Sequence, residues 1–247
     1  HRVEGSYALG ILFADFPDEV FAVRKDSPLI VGKGNGENYL ASDIPAILPY
    51  TRDCYIVNDG EFIEISKNSI KAFDKDANEK EVKIQTINLS IDAAEKGGYD
   101  YFMAKEIFEQ PKAVKDTVSP LIKNGKIQLP FEFPNNFIKN LNRIYIVACG
   151  SAYHVGVTAK YIIEDMVRVP VMVDIASEFR YRNPIIGKGD LCIFVSQSGE
   201  TADTLASLRK AKSKGAFTIS IVNVPYSTIA RESDGVIYTN AGAEIAV

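Results

Sequence analysis

The stretch LCIFVSQSGETADT, Leu191 to Thr204, decides the fold. Leu191 to Val195 form an unbroken apolar run, the pattern of a strand covered on both faces in a parallel sheet. Polarity then switches at once. Ser196, Gln197, Ser198, Gly199 and Thr201 set three hydroxyls, a carboxamide and a glycine at the carboxyl end of that strand, where the next helix starts. Free N–H groups and the positive end of the helix dipole collect there, which favours an anion, foremost a phosphate. No lysine or arginine lies in the turn. Binding would rest on neutral donors and backbone dipoles, which suits a small phosphate ester better than a polyphosphate needing metal and lysine. The simpler alternative is that Ser198 or Thr201 only caps the helix. A second copy of the pattern favours the site: IYIVA (144–148) is another apolar strand, followed by Cys149, Gly150 and Ser151 and the helix-patterned run AYHVGVTAKYIIEDMV. Two such units in one parallel sheet bring both turns to the same edge, where ligands bind in open α/β folds.

Outward from this pair the rhythm is strand then helix. Strands are predicted at 144–149, 171–177, 191–196, 217–224 and 235–240, with helices near 152–167, 177–181, 200–213 and 227–233. Lys210, Lys212 and Lys214 before Gly215 suit the end of the third of these helices. This alternation predicts a doubly wound parallel sheet.

The first ~90 residues instead read as short antiparallel strands, at 6–13, 19–25, 28–32, 38–42, 54–59, 60–66, 69–75 and 83–89. Asp15–Asp18 and Asp74–Glu79 are turns, Asp59-Gly60 is a hairpin signal, and Asp43 is a cap for a short helix over 43–48. The glycine-rich run VGKGNGEN (31–38) has neither dinucleotide nor P-loop spacing and reads as a tight connection. SIDAAEKGGYD (90–100) is a candidate linker. The following run, 101–122, is helical, with Phe102, Met103, Ile107 and Phe108 on one stripe and Val114, Val118 and Leu121 beyond Pro111. That stripe is expected to pack in a core or interface, and Pro111 to break or kink the helix. Residues 125–142 form a connecting segment with Pro130 and Pro134, then a short helix over Asn135–Leu141.

Composition sets the bounds. The 247 residues, 46% hydrophobic and 24% charged, suffice for one large or two ordinary globular domains. A net charge of -4 argues against a nucleic-acid or anionic-membrane surface, and no apolar run reaches the ~18 residues of a membrane span. HRVEGSYALG has neither an initiator Met nor a signal-peptide pattern and reads as a fragment boundary. Cys54, Cys149 and Cys192 sit in or beside apolar strands without close pairing, as reduced thiols of a cytoplasmic protein. Cys149 precedes a helix start, where a thiol can be activated, yet no partner His is evident and a buried structural role is the expectation. With His1 and His154 as the only histidines and no zinc-type cysteine spacing, no metal site is expected.

CGSAYH (149–154), DIASEFRYR (174–182), SQSGETADTL (196–205), NVPYSTIARESD (223–234) and TNAGAEIAV (239–247) resemble the first sugar isomerase (SIS) domain of the isomerising glutamine:fructose-6-phosphate aminotransferases, the glucosamine-6-phosphate synthases. Upstream, GSYALGILF (5–13), PLIVGKGNGENYLASD (28–43) and YFMAKEIFEQP (101–111) resemble the later glutaminase domain and interdomain segment of the same family. The resemblance covers essentially the whole chain in order. It implies an α/β chain: a mainly antiparallel part of a class II, Ntn-type glutaminase domain (1–95), an interdomain linker and helix (96–125), and a first SIS domain lacking its last helix (126–247). It implies sugar-phosphate contacts at Ser196, Gln197, Ser198 and Thr201, with Cys149, Gly150 and Ser151 in the turn beside the sugar. Some members carry a serine where Ala152 stands, so one phosphate hydroxyl would be missing here.

The family converts fructose 6-phosphate to glucosamine 6-phosphate with ammonia drawn from glutamine, needs no cofactor, and pairs its SIS domains in homodimers. Its nucleophilic cysteine, isomerase Glu and His, and Schiff-base Lys match no residue of this chain. The chain alone is therefore expected to be inactive, to contain no catalytic residue, and to expose apolar edges in its glutaminase part. The alternative is a non-catalytic SIS module that senses a sugar phosphate, although the glutaminase-like strands and the absence of a basic DNA-reading helix favour the enzyme.

Overall fold

The computed structural model describes residues 3–87, 96–242 and 244–246. They fall into two compact units, one built on the chain up to Lys105 and the other on Glu106–Gly242.

The first unit is antiparallel, as its turn punctuation predicts. Strands β1 (Tyr7–Ile11), β2 (Glu19–Lys25), β3 (Ile30–Lys33), β4 (Asn38–Ala41), β5 (Asp53–Ile56), β6 (Phe62–Ser66), β7 (Ile70–Phe73), β8 (Glu79–Lys80) and β9 (Gln85–Thr86) form two sheets, in the orders β1-β2-β6-β7-β8 and β4-β3-β5-β9. Ala22, Val31, Tyr55, Val57, Ile63, Ile65 and Ala72 meet in one buried cluster drawn from both sheets. Helix α1 (Ile44–Ile47) starts where Asp43 predicts: the Asp43 carboxylate accepts the Ala46 N–H at 2.9 Å. The glycine-rich run is the β3–β4 hairpin loop. The Gly34 N–H bonds the Glu37 carbonyl at 3.0 Å, and a Cβ on Gly34 would lie 2.5 Å from that oxygen.

Asp59-Gly60 is a turn but not a hairpin. β5 and β6 on either side of it belong to different sheets, so the turn carries the chain from one layer to the other. The Asp59 carboxylate fixes the crossing by accepting from Arg24 Nε and the Asp26 N–H, both at 3.0 Å. Beside it Glu61, 2% exposed, accepts from Lys80 Nζ (2.5 Å), the Tyr55 hydroxyl (2.7 Å) and the Asn58 N–H (2.9 Å). Burial alone would raise its carboxyl, but Lys80 and these donors outweigh burial and hold it below the usual carboxylate range.

Of the predicted linker, 90–95 lies outside the described residues, as do 88 and 89 of the strand expected at 83–89. Helix α2 (Phe102–Val118) runs unbroken through Pro111. Ile107, whose carbonyl loses its partner to the proline, is 52% exposed, so water can take up that acceptor. Of the core-or-interface expectation for the stripe, the core half does not hold: Met103, Ile107, Phe108, Val114 and Val118 are exposed, while Lys105 is buried.

In the second unit, a hairpin not expected from the sequence spans the end of the predicted helical run and the start of the connecting segment: β10 (Ile122–Lys123) and β11 (Lys126–Ile127), closed by Asn124 and Gly125 at φ 52° and 71°. A single 3-10 turn, Ile138–Asn140, stands where a helix over Asn135–Leu141 is predicted. The parallel sheet then follows the predicted rhythm: β12 (Arg143–Ala148), α3 (Gly150–Val167), β13 (Val171–Ile175), α4 (Ala176–Tyr181), β14 (Asp190–Ser196), α5 (Ala202–Ser213), β15 (Phe217–Val222), α6 (Thr228–Glu232) and β16 (Gly235–Tyr238), in the order β13-β12-β14-β15-β16. Alternate residues of the central strands enter opposite cores. Tyr145, Val147, Cys192 and Phe194 pack with Phe179, Leu205, Leu208 and Ile229 from α4, α5 and α6. Ile144, Ile146, Leu191 and Ile193 pack on the other face with Ala159 and Ile163 of α3. Both faces are covered, which is why β14 reads as a continuous apolar run.

Because the Glu61 carboxyl is held below its ordinary value, its contribution to stability is complete above about pH 4.3 and is lost as pH falls through the lowered value. Glu61→Gln should lower stability at pH 7 by about 1–3 kcal/mol and flatten this acid dependence. Urea denaturation of both proteins between pH 7 and pH 3 reads both effects.

Candidate functional site at the carboxyl edge of the parallel sheet

β12 and β14 are parallel neighbours in register, with Ala148 opposite Val195, so Cys149 and Ser196 leave the sheet side by side. From this pair the chain proceeds in opposite directions, β12 to β13 on one flank and β14 to β15 on the other. The two polar turns therefore meet at the topological switch point of the sheet, where the outgoing helices separate and leave a crevice.

The first turn is short. Cys149 is extended (φ -115°), Gly150 takes φ +57°, a conformation that favours glycine, and Ser151 is exposed in the first turn of α3. The second turn is a knot of hydrogen bonds. The Ser196 hydroxyl, on a residue only 4% exposed, accepts the Gly199 N–H at 3.0 Å and shares a hydrogen bond with the Thr201 hydroxyl at 3.0 Å. The Ser198 hydroxyl accepts the Glu200 N–H at 3.2 Å. Gln197 is exposed, and its carbonyl receives the N–H groups of Asn223 (3.0 Å) and Val224 (3.3 Å). Thr201 stands at the N-cap of α5 without capping it through its side chain, so the plain capping alternative does not account for its hydroxyl. Gly199, at φ +65°, lies so close to α6 that a Cβ would be 2.0 Å from Ser227 Oγ.

Two further ties join these turns to their surroundings. Thr204, buried in α5, points its hydroxyl at Cys149 Sγ across 3.8 Å and links the first turn to the second. Asn223, at the carboxyl end of β15, holds 239–242: its carboxamide oxygen accepts from the Thr239 hydroxyl (2.9 Å) and the Ala241 N–H (2.8 Å), and its amide donates to the Gly242 carbonyl at 2.6 Å. Asn223 escaped the sequence reading, although its position just after a buried strand was the available signal. The Thr117 hydroxyl of α2 donates to the Thr239 carbonyl and anchors the same segment.

Two aspartates near this edge are paired with arginines. Asp203, in the first turn of α5, bonds Arg180 at 3.0 Å, and Asp174 bonds Arg182. With Asp203 neutralised, the positive end of α5 remains available to an anion. All three cysteines are free. Burial, with a smaller effect of a nearby aspartate, pushes the Cys54 thiol up to about 11 and the Cys192 thiol up to about 12, which makes both inert at neutral pH. Among the described residues no group of three His, Cys, Asp or Glu is placed to hold a metal ion, and no helix is long and apolar enough to cross a membrane.

Comparison with known proteins matches the SIS domain family to residues 137–247. Over the whole chain, the glutamine–fructose-6-phosphate aminotransferase (isomerizing) of Clostridium tetani is 56% identical and that of Methanosarcina acetivorans 46% identical. Over its whole length the chain is similar to the isomerising glutamine–fructose-6-phosphate aminotransferases. It spans 41% of the length of the Clostridium tetani protein and 40% of that of the Methanosarcina acetivorans protein. Among solved structures, the C-terminal domain of glucosamine-fructose-6-phosphate aminotransferase from Francisella tularensis is 47% identical with a TM-score of 0.58, over 61% of this chain and 43% of that one. The residues matched to the SIS domain family hold both polar turns.

Gly199→Ala should be among the most damaging single changes at the edge, since it adds strain at a positive φ to a collision with Ser227. A loss of about 1–3 kcal/mol is expected from the backbone alone, and Ser227→Gly in the same chain should recover part of the remainder. Denaturation midpoints of the single and double variants check this.

Proposed function

We propose that the carboxyl edge of the SIS sheet binds the phosphate of fructose 6-phosphate or glucosamine 6-phosphate, and that the chain supplies this site to an isomerising aminotransferase. The observation that carries the proposal is the convergence at one switch point of Cys149-Gly150-Ser151 with Ser196 to Thr201, hydroxyls and helix N-termini beside which Asp203 is paired with Arg180. Ser198, Thr201 and Ser151 are the hydroxyls that reach the ligand. Gln197 is an exposed carboxamide beside them, and Ser196 shapes the turn from beneath. Held by its phosphate, a sugar presents C1 and C2 in a fixed place to groups elsewhere, which is catalysis by orientation.

In the complete enzyme, glutamine is the ammonia source and L-glutamate the second product. Residues 1–95 then correspond to the late glutaminase domain, 96–125 to the interdomain segment and 126–247 to the first SIS domain. The chain on its own carries neither half-reaction, because no residue in it matches the nucleophilic cysteine or the isomerase groups. A homodimer through the SIS domains is part of the reading, supported by the exposed apolar residues Val155, Ile162 and Met166 of α3. The free cysteines accord with a cytoplasmic setting.

Calorimetric titration with fructose 6-phosphate tests the reading, with fructose as control. Binding should require the phosphate, and Ser198→Ala with Thr201→Ala should weaken it by about tenfold or more per hydroxyl, the worth of a hydrogen bond to a charged group. Equal binding of fructose, or an unaffected double variant, would refute it.

A further inference from the structure

The phosphate reading uses the hydroxyls of the second turn but not the carboxylate that stands among them. Glu200 follows Gly199 and precedes Thr201. Its Oε1 accepts both the backbone N–H of Thr228, at 2.7 Å, and the Thr228 hydroxyl, at 3.1 Å. Arg231 Nη2 in turn donates to the Thr228 hydroxyl at 3.2 Å. One residue to each side, the Ile229 N–H bonds the Gly199 carbonyl at 3.0 Å, and Gly199 presses against Ser227. Besides its bonds to Ser196 and Ser198, the Gly199–Glu200 segment is thus held by side chain and backbone together at the start of α6.

We propose that Glu200 is a positioning residue of the sugar-phosphate site, acting through Thr228 to fix the turn that presents Ser198 and Thr201; this inference rests on the phosphate reading above. An acidic side chain one residue from an anion site opposes binding if its charge is free. Here one carboxylate oxygen, Oε1, is taken up by two donors of Thr228. The tie also removes rotational freedom from the peptide between the two hydroxyl-bearing residues. The ordering of the turn is then complete before a ligand arrives, which raises affinity without a contact to the ligand. The second oxygen, Oε2, is buried and has no hydrogen bond among the described residues. What the position requires is therefore the acceptor on Thr228 rather than the charge, and a glutamine oriented with its carbonyl on Thr228 satisfies it.

The variants are Glu200→Ala, Glu200→Gln, Thr228→Val and Glu200→Ala with Thr228→Val, each titrated with fructose 6-phosphate and followed by amide hydrogen exchange. Glu200→Ala should weaken binding about tenfold or more, while Glu200→Gln stays within about threefold of the parent. Adding Thr228→Val to Glu200→Ala should cost little further, because the two side chains act as one unit. Amide exchange in Glu200→Ala should accelerate at Gly199 and Thr228 while the amides of β14 keep their protection. Unchanged affinity in Glu200→Ala overturns the inference. A Glu200→Gln as weak as Glu200→Ala overturns it too, since the charge itself would then be needed, and so does faster exchange throughout β14, which marks a general loss of fold. If the parent chain does not bind fructose 6-phosphate, the phosphate reading fails by itself. The exchange pattern at Gly199 and Thr228 still decides whether Glu200 holds the turn.

Discussion

The burial of β14 on both faces is the constraint on which the second unit depends. A strand with Cys192 and Phe194 in one core and Leu191 and Ile193 in the other has no face left for polar side chains. Its chain can turn polar only where it leaves the sheet. Parallel pairing with β12 repeats the restriction one strand away and sets both exits at the same edge in register. The concentration of hydroxyls at that edge follows from the packing, and so does the reversal of chain direction that opens a crevice between the outgoing helices.

Precision at the edge comes from backbone that has few alternatives. Gly150 and Gly199 both hold positive φ, and Gly199 packs where no side chain fits. Besides the bonds within the turn, ties run outward from it and from the start of α5: Gln197 to Asn223 and Val224 after β15, Gly199 to Ile229 and Glu200 to Thr228 of α6, and Thr204 to Cys149 after β12. A turn braced on its neighbours in this way can present neutral donors in fixed directions. Fixed donors are what an anion site without lysine or arginine requires.

The parallel sheet was legible because its signals are long and redundant. Five apolar runs separated by helical periods admit few arrangements, and the predicted strands match the observed ones to within about two residues, the usual latitude of element boundaries. The errors occur where a local signal was asked for tertiary information. Asp59-Gly60 does mark a turn, but a turn does not say whether its flanking strands pair; the sheet partners of β5 and β6 decided that. Asn124-Gly125 closes a hairpin whose strands are two residues each, too short for an alternating pattern to register. Pro111 removes one donor from α2, and on an exposed helix that loss does not end it. At the site, residue types and their clustering could be read from the chain. The division of labour could not, because the inward turn of Ser196 and the grip of Glu200 on Thr228 depend on elements up to 28 residues apart in sequence.

The most direct test of the central claim is amide chemical-shift mapping of the isotopically labelled chain during titration with fructose 6-phosphate. The account predicts that the shifts concentrate at Gly150, Ser151 and Gln197 to Thr201, with the antiparallel unit unchanged. Shifts centred on that unit, or none from a folded sample at saturating ligand, would contradict it.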